Sequence, residues 1–540
     1  MASALASNMA AAPSDLPSGV NQDFQNVVLE EASGINPKVT VSGTISNGTI
    51  ISGTAIVSGG DQGKSGRHDR DSQYGDLVKG DGGATSTIIN GWDIKPYNEA
   101  QGVNDGNGGV KVTKNITAWN FERVYEVLRG TKAGNLTIDK NYTINLMNGR
   151  GIPLSNVIVV SENASAATIT NNGIIKHHTA NSGTNVIVLA DGASVDAIVN
   201  NGTMALQGTD VLKLEANSTL KKLVNTKRMS TTESDLIRLS GGTIKQIELS
   251  SGSTTSAGTN IINVQSSATI GTITATGATV NGSISSTGGI TLDNDSSDNQ
   301  QITSKSSIDN IQLLESSTIT GDIILANHVN ITKNKVNSTK NVTIKEGSKR
   351  IGNISLSGSS QLDGDIYLAS NVGSTINGSG SGTVNVTWEA PQTLTIDSIV
   401  LNGDSKITGT IINGDSSVVS DKDSIVTIGE IQLNKNSSIG SIVNNRGTIT
   451  NIALNENGTI TNGITNNANG NIGTIVSNTN TNVSNTINNE GTIAKLLLNQ
   501  GTINYSGNSG FFKEELVVGR DATLTINNGG SGGNGTIYIN

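Results

Sequence analysis

Residues 431–460 read I-Q-L-N-K-N-S-S-I-G-S-I-V-N-N-R-G-T-I-T-N-I-A-L-N-E-N-G-T-I. The pattern I-x-L-x-x-x-(S/N/G)-x-I occurs in them twice, as Ile431/Leu433/Ser437/Ile439 and as Ile452/Leu454/Gly458/Ile460. Apolar residues alternate with polar ones over three to five positions and then Gly or Asn breaks the run, the signature of short strands joined by tight turns. The pattern recurs at Ile311/Leu313/Ser317/Ile319, Ile354/Leu356/Ser360/Leu362 and Ile399/Leu401/Ser405/Ile407, and more loosely at Leu496/Leu498/Asn499/Ile503. Successive first members lie 43, 45, 32, 21 and 44 residues apart. Four of these spacings are close to one or two units of about 21 to 22 residues, and the exception brackets Ser416 to Ser424, read as a loop of about ten residues inserted within one coil.

A unit of this length with about three short strands cannot bury its own apolar side, but stacked units can. If each strand pairs with its equivalent in the next unit, Ile, Val and Leu form ladders along a narrow core while Thr, Ser and Asn face water. The expected fold is therefore all-β, a right-handed parallel β-helix of about 21-residue coils. About 375 residues of it, in ~18 coils at the ~4.8 Å strand spacing, make a rod on the order of 85 Å long. Turns such as Asn171-Asn172-Gly173, Asn200-Asn201-Gly202 and Asn444-Asn445-Arg446-Gly447 supply residues that tolerate positive φ.

Composition agrees with a long, polar, ordered chain. Of 540 residues only 34% are hydrophobic and 3% aromatic, whereas 65 are Gly. Zero cysteines exclude a disulfide scaffold and a thiolate zinc site. A net charge of -9 argues against nucleic acid as a partner, and the best basic run, Lys221, Lys222, Lys227 and Arg228, reads as a solvated face. No apolar run approaches the ~18 residues that a membrane helix needs. Met1 to Ala12 is small and apolar but lacks a basic flank, and reads as the remnant of a secretory signal or a redesigned start.

The ends differ from the middle. Asn120 to Gly130, N-F-E-R-V-Y-E-V-L-R-G, places Phe121, Val124, Tyr125 and Leu128 at i, i+3, i+4 and i+7, with Asn120 and Gly130 as caps. This predicts a short capping helix over the first coil. Gly59 to Thr87 reads as an exposed loop or processed linker. The organisation expected is an irregular Gly-rich segment over 1–90, the solenoid with its cap over 91–505, and a distinct end over 506–540.

The Asn-Gly-Thr-Ile repeats and above all the ending carry a resemblance. Leu516-Val517-Val518-Gly519, Leu524-Thr525-Ile526 and Gly533-Asn534-Gly535-Thr536-Ile537-Tyr538-Ile539-Asn540 resemble the last coils, the autochaperone region, of the passenger domain of a Gram-negative autotransporter (type V secretion). The (V/I)-S-x-G repeats from Val39 to Gly60 are similar to those of its self-associating adhesins. The resemblance implies a cell-surface or shed protein exported through the outer membrane, with a translocating β-barrel expected after residue 540. It implies host surface molecules, or like copies on neighbouring cells, as partners. It implies no single activity, since passengers include adhesins, toxins, proteases and esterases.

Catalytic motifs are weak against that background. Gly403-Asp404-Ser405-Lys406 and Gly414-Asp415-Ser416-Ser417 lack the following Gly of a protease nucleophile, and His68, His177, His178 and His328 sit in no recognisable triad context. Both serines read as turn residues, so no catalytic residue, cofactor site or cofactor is expected. Asp293, Asp295 and Asp298, in D-N-D-S-S-D, are the densest acidic group and the calcium candidates; Asp298 and Ser304 stand where an EF-hand needs Gly and Glu. His177 and His178 are adjacent and point to opposite faces of a strand. Asn141 and Asn217 fit the bacterial glycosylation pattern (D/E)-x-N-x-(S/T). Trp92, Trp119 and Trp388 read as cap packing, with Trp388 marking a lateral loop. An adhesin or self-association rod acting through many weak contacts is the leading expectation. A polysaccharide-acting enzyme and a surface-array subunit are the alternatives.

Overall fold

The computed structural model describes residues 38–46, 49–58, 86–94, 102–113, 115–119, 124–147, 156–177, 185–207, 210–265, 267–389, 392–416, 424–479, 485–507, 511–527 and 538–539. Among these the chain is all-β, with long parallel ladders and no helix. It divides into two compact units, Met1–Ile247 with Ser253–Thr259, and Glu248–Gly252 with Asn260–Asn540.

In the first unit, strands pair with the third strand onward. Ser165–Asn171 pairs with Ser194–Asn200, Ile174–His177 with Thr203–Ala205, and Ile187–Leu189 with Leu212–Leu214, all parallel. In-register pairing stacks like on like: Ile158, Ile187, Leu212 and Ile237 form one buried column, and Val160, Leu189, Leu214 and Leu239 form another. Each such side chain contributes about 1.5–3 kcal/mol by leaving water. The repeat here is N-V-I-V-V, N-V-I-V-L, D-V-L-K-L, D-L-I-R-L, starting at Asn156, Asn185, Asp210 and Asp235.

The predicted capping helix is not formed. Tyr125–Val127 is a strand, parallel to Ile158–Val160 on one side and antiparallel to Trp92–Ile94 on the other. Its residues are buried on both faces, so the apolar spacing that suggests a helix serves a doubly covered strand instead. Residues 120–123 lie outside the described part. Trp92–Ile94 is the first of an antiparallel series that continues through Ser86–Ile89, Thr49–Ser58 and Lys38–Ser46. The ladder edge is thus covered by strands, another way of protecting an open edge. Trp92 is fully buried there and its indole Nε1 donates to Gly134 O at 3.0 Å. The loop expected over Gly59 to Thr87 lies, up to residue 85, outside the described residues, as do Met1 to Ala12.

In the second unit one column runs without a gap through Ile273, Ile311, Ile354, Ile399, Ile431, Ile452, Ile475, Leu496 and Leu516. All nine are buried. The pairing corrects the repeat arithmetic. Ile311 to Ile354 and Ile354 to Ile399 are each one step, not two, whereas Ile452 to Leu496 is two steps through Ile475. The extra residues in the long steps form lateral excursions. Gly288–Asp293 pairs with Val329–Asn334 in one layer, and Asn299–Ile302 with Asn341–Ile344 in the other. Between them Leu292, Val329, Ile331, Val336, Val342 and Ile344 form a separate apolar cluster, against which Val384, Val386 and Trp388 pack. Trp388 therefore marks a lateral element, as its sequence position suggests. The insertion between Ser416 and Ser424 falls within the single step from Ile399 to Ile431, and residues 417–423 lie outside the described part.

Candidate interaction surface

In-register stacking repeats polar side chains as faithfully as apolar ones. On the outside, Asn434 Nδ2 donates to Asn402 Oδ1 at 2.9 Å, Asn455 to Asn434 at 3.0 Å, Asn478 to Asn455 at 2.9 Å and Asn499 to Asn478 at 2.7 Å. Beside it, Asn436 donates to Asp404 at 3.0 Å and Asn457 to Asn436 at 3.1 Å. These columns arise at one turn. In five of the rungs the residue two places after the inward Leu has positive φ: Glu315 (61°), Gly358 (70°), Gly403 (74°), Lys435 (58°) and Glu456 (44°). That conformation turns the chain sharply and leaves its neighbours facing solvent in fixed register.

Inside the corners, at the two ends of the strand Lys406–Asn413 and its equivalents, hydroxyls and amides replace the aliphatics. Ser317, Ser360, Ser405 and Ser437 are fully buried, and Ser405 Oγ donates to Leu356 O of the preceding rung at 3.4 Å. Ser405 thus holds a turn, in line with the reading from its sequence. In the second unit Asn413, Asn444, Asn466 and Asn489 are fully buried, each donating to the next at 2.7–2.8 Å, and Asn489 ends the series on Tyr505 Oη at 2.9 Å. The first unit has its own series from Asn171 through Asn200 and Asn225 to Thr255 Oγ1. Burial and, against it, the Asn489 bond leave the Tyr505 phenol above its ordinary range.

The acidic loop is occupied by the chain itself. Lys340, almost wholly buried, donates from Nζ to Asn294 O at 3.1 Å, Ser296 O at 2.5 Å and Asp298 Oδ1 at 2.9 Å. Asp293 accepts from the Ser296 hydroxyl at 2.9 Å and its amide at 2.7 Å, bonds that hold its carboxyl below the usual range. Asp295 is exposed on the same turn. Among the described residues no cluster of three or more His, Asp or Glu is arranged to hold a metal ion.

The other candidates are scattered. Asn141 is exposed on a turn; Asn217 is exposed at φ 56°, with its Nδ2 donating to Asp191 Oδ1 at 2.9 Å. His177 ends a strand, and His178 lies outside the described residues. Asp415 accepts from the hydroxyls of Tyr367 and Ser370, so the Gly-Asp-Ser of Ser416 also builds a local contact. Lys221 pairs with Asp196 at 2.6 Å. Sequence reading missed the buried cluster of the first unit, where Arg238 bridges Asp210 (3.0 Å) and Asp235 (3.2 Å) and Ser234 donates to Asp210 at 2.6 Å. Desolvation raises the Asp210 carboxyl, against the pull of Arg238. The recurring Asn or Asp at the head of each N-V-I-V-V repeat was the available signal. Of the end motif, Leu516 to Gly519 and Leu524 to Ile526 lie on one strand, Phe511–Asn527, and Tyr538–Ile539 pairs with Val517 and Val518.

No protein-family profile, curated protein or solved structure matches the chain.

Proposed function

We propose that the chain is the passenger of a Gram-negative autotransporter, an adhesin or self-association protein at the cell surface whose two units each wind as a right-handed parallel β-helix. The winding is supported by the pairing of every third strand in the first unit and by the single uninterrupted column from Ile273 to Leu516 in the second. One observation carries the function: the outward amide column from Asn402 to Asn499, which offers the same hydrogen-bonding group on five successive rungs. Identical groups at a fixed spacing of about 4.8 Å match a partner that is itself periodic, and weak contacts then add through effective concentration.

The test is display of the chain on bacteria that otherwise remain dispersed. The reading expects cells to clump with one another or to bind a host-cell layer, and the effect to be lost when displayed and soluble chain compete. Cells that stay dispersed and unbound at full surface density sink it.

A further inference from the structure

Asn107-Gly108 sits at the tip of the turn between Val103–Asn104 and Val110–Val112. One oxygen of Asp105 holds this turn: its Oδ1 accepts from Asn107 N at 2.7 Å and from Gly109 N at 2.8 Å. Between them Gly108 N donates to nothing among the described residues, and the exposed Asn107 carboxamide is likewise unbonded. Gly108 holds φ 78°, and nothing stands within 4 Å of where a Cβ would be. Every other described Asn-Gly pair is restrained. Hydrogen bonds hold the amides of Asn90, Asn201 and Asn402. Gly173, Gly414, Gly458 and Gly463 donate their N–H to oxygens 2.9–3.3 Å away. Asn281, Asn377 and Asn469 lie in strands and are pinned by ladder pairing.

We infer that Asn107 is a site of spontaneous modification in the folded chain, deamidating to aspartate and isoaspartate. The Gly108 nitrogen attacks Asn107 Cγ and gives up its proton; the new C–N bond closes a succinimide as the Cγ–Nδ2 bond breaks and ammonia leaves. Water then opens the ring at either carbonyl. Glycine favours the closure because no side chain crowds its nitrogen. Both products add a negative charge beside Asp105, and isoaspartate also lengthens the main chain by one methylene. The turn has no slack for that methylene. Gly108 O packs on Gly134, where a Cβ would not fit, and Gly109 O accepts from Asn90 Nδ2 at 2.6 Å. Gly134 in turn donates to Asn90 O at 2.9 Å and accepts from the Trp92 indole at 3.0 Å. Isoaspartate therefore loosens the seat of Trp92–Ile94, the strand that covers the ladder edge.

The test is to age the folded full chain at mildly alkaline pH in water enriched in heavy oxygen and to map its peptides by mass. The peptide bearing Asn107 takes up the label, as aspartate and isoaspartate, about tenfold faster or more than those bearing Asn201 and Asn457, which must first give up their bonds. In urea the three rates converge. Labelling of Asn107 no faster than of the other two in the folded chain overturns the site. Amide exchange over 92–94 reads the consequence: it quickens in the aged parent and stays unchanged in an equally aged Asn107→Gln variant. If exchange there does not quicken in the labelled parent, the loosening falls and the site stands.

Discussion

The ammonium of Lys340 lies 2.9 Å from Asp298 Oδ1 and fills, from the neighbouring rung, the turn that the sequence offers as a calcium site. Two carbonyl oxygens of the same turn complete its coordination, so the chain supplies its own cation to the loop. Lys333 does the same in the other direction, donating to Gly380 O at 3.2 Å and Gly382 O at 3.0 Å. The tips of the lateral excursions are therefore tied rung to rung by lysines.

Replacing Lys340 with Met keeps the stem and removes the ammonium. The expected loss is about 2–3 kcal/mol, since carbonyls and a carboxylate that shared one charge lose it together. Amide exchange over 329–346 should quicken far more than exchange in the Ile431 to Leu496 rungs. Calcium should leave the melting temperature of the parent chain unmoved. A millimolar calcium response in the parent would return the loop to the metal candidates.

Lys349 sets the pH dependence. It is almost fully buried, and burial pushes its ammonium down to about 8 from 10.5. A folded value below the unfolded one means that the fold disfavours the charged form. The resulting penalty is present in full below pH 8 and is relieved as pH rises from about 8 towards 10.5. Urea midpoints should rise over that window by an amount on the order of 3 kcal/mol in stability, and Lys349→Met should flatten the rise. A flat profile in the parent chain counts against it.

The inward register was legible in sequence because the alternation of Ile and Leu with polar residues is dictated by one buried face, and that face is the same in every rung. The coil length was not, because an excursion strand such as Val329–Asn334 alternates as a rung strand does and differs only in its partners. Val329 and Ile331 pack on Val342 and Ile344, away from the column of Ile311 and Ile354. The cap failed for a related reason: Val124, Tyr125 and Leu128 fit a helical face, yet Tyr125 to Val127 gain more by sitting between two strands. The Asn and Ser columns at the corners were visible as composition, but their direction inward or outward depends on turn geometry that composition does not contain. For Lys340, no local pattern links it to Asp298, 42 residues away.

Turn strain gives an independent check. Glu456 and Lys435 hold positive φ in a column where the equivalent residues of two other rungs are Gly358 and Gly403. A non-glycine residue there costs about 1–2 kcal/mol, partly offset by the greater flexibility of glycine when unfolded. Glu456→Gly should therefore stabilise the chain by about 0.5–1 kcal/mol, and Gly403→Val should destabilise it by more than that. Equal melts for the parent and both variants would contradict the turn geometry.

The buried amides give the largest predicted loss. Asn444 accepts from Asn413 at 2.8 Å and donates to Asn466 at 2.8 Å and to Asn471 O at 3.3 Å, with no exposure to water. Truncation to Ala leaves a donor on one side and acceptors on the other unmatched in a dry corner, at a cost of about 2–4 kcal/mol. At another corner and on the outer surface, Asn455 bonds Asn434 and Asn478 in the same head-to-tail fashion, at 3.0 and 2.9 Å, but water can replace either partner. Asn455→Ala should then cost under about 1 kcal/mol, although it interrupts the column proposed for recognition. The pair separates the two roles of the same side chain: Asn444→Ala should lower the unfolding midpoint, and Asn455→Ala should lower cell clumping at an unchanged midpoint. Should Asn455→Ala clump cells as the parent does, the outer column is a by-product of register and recognition lies on another face.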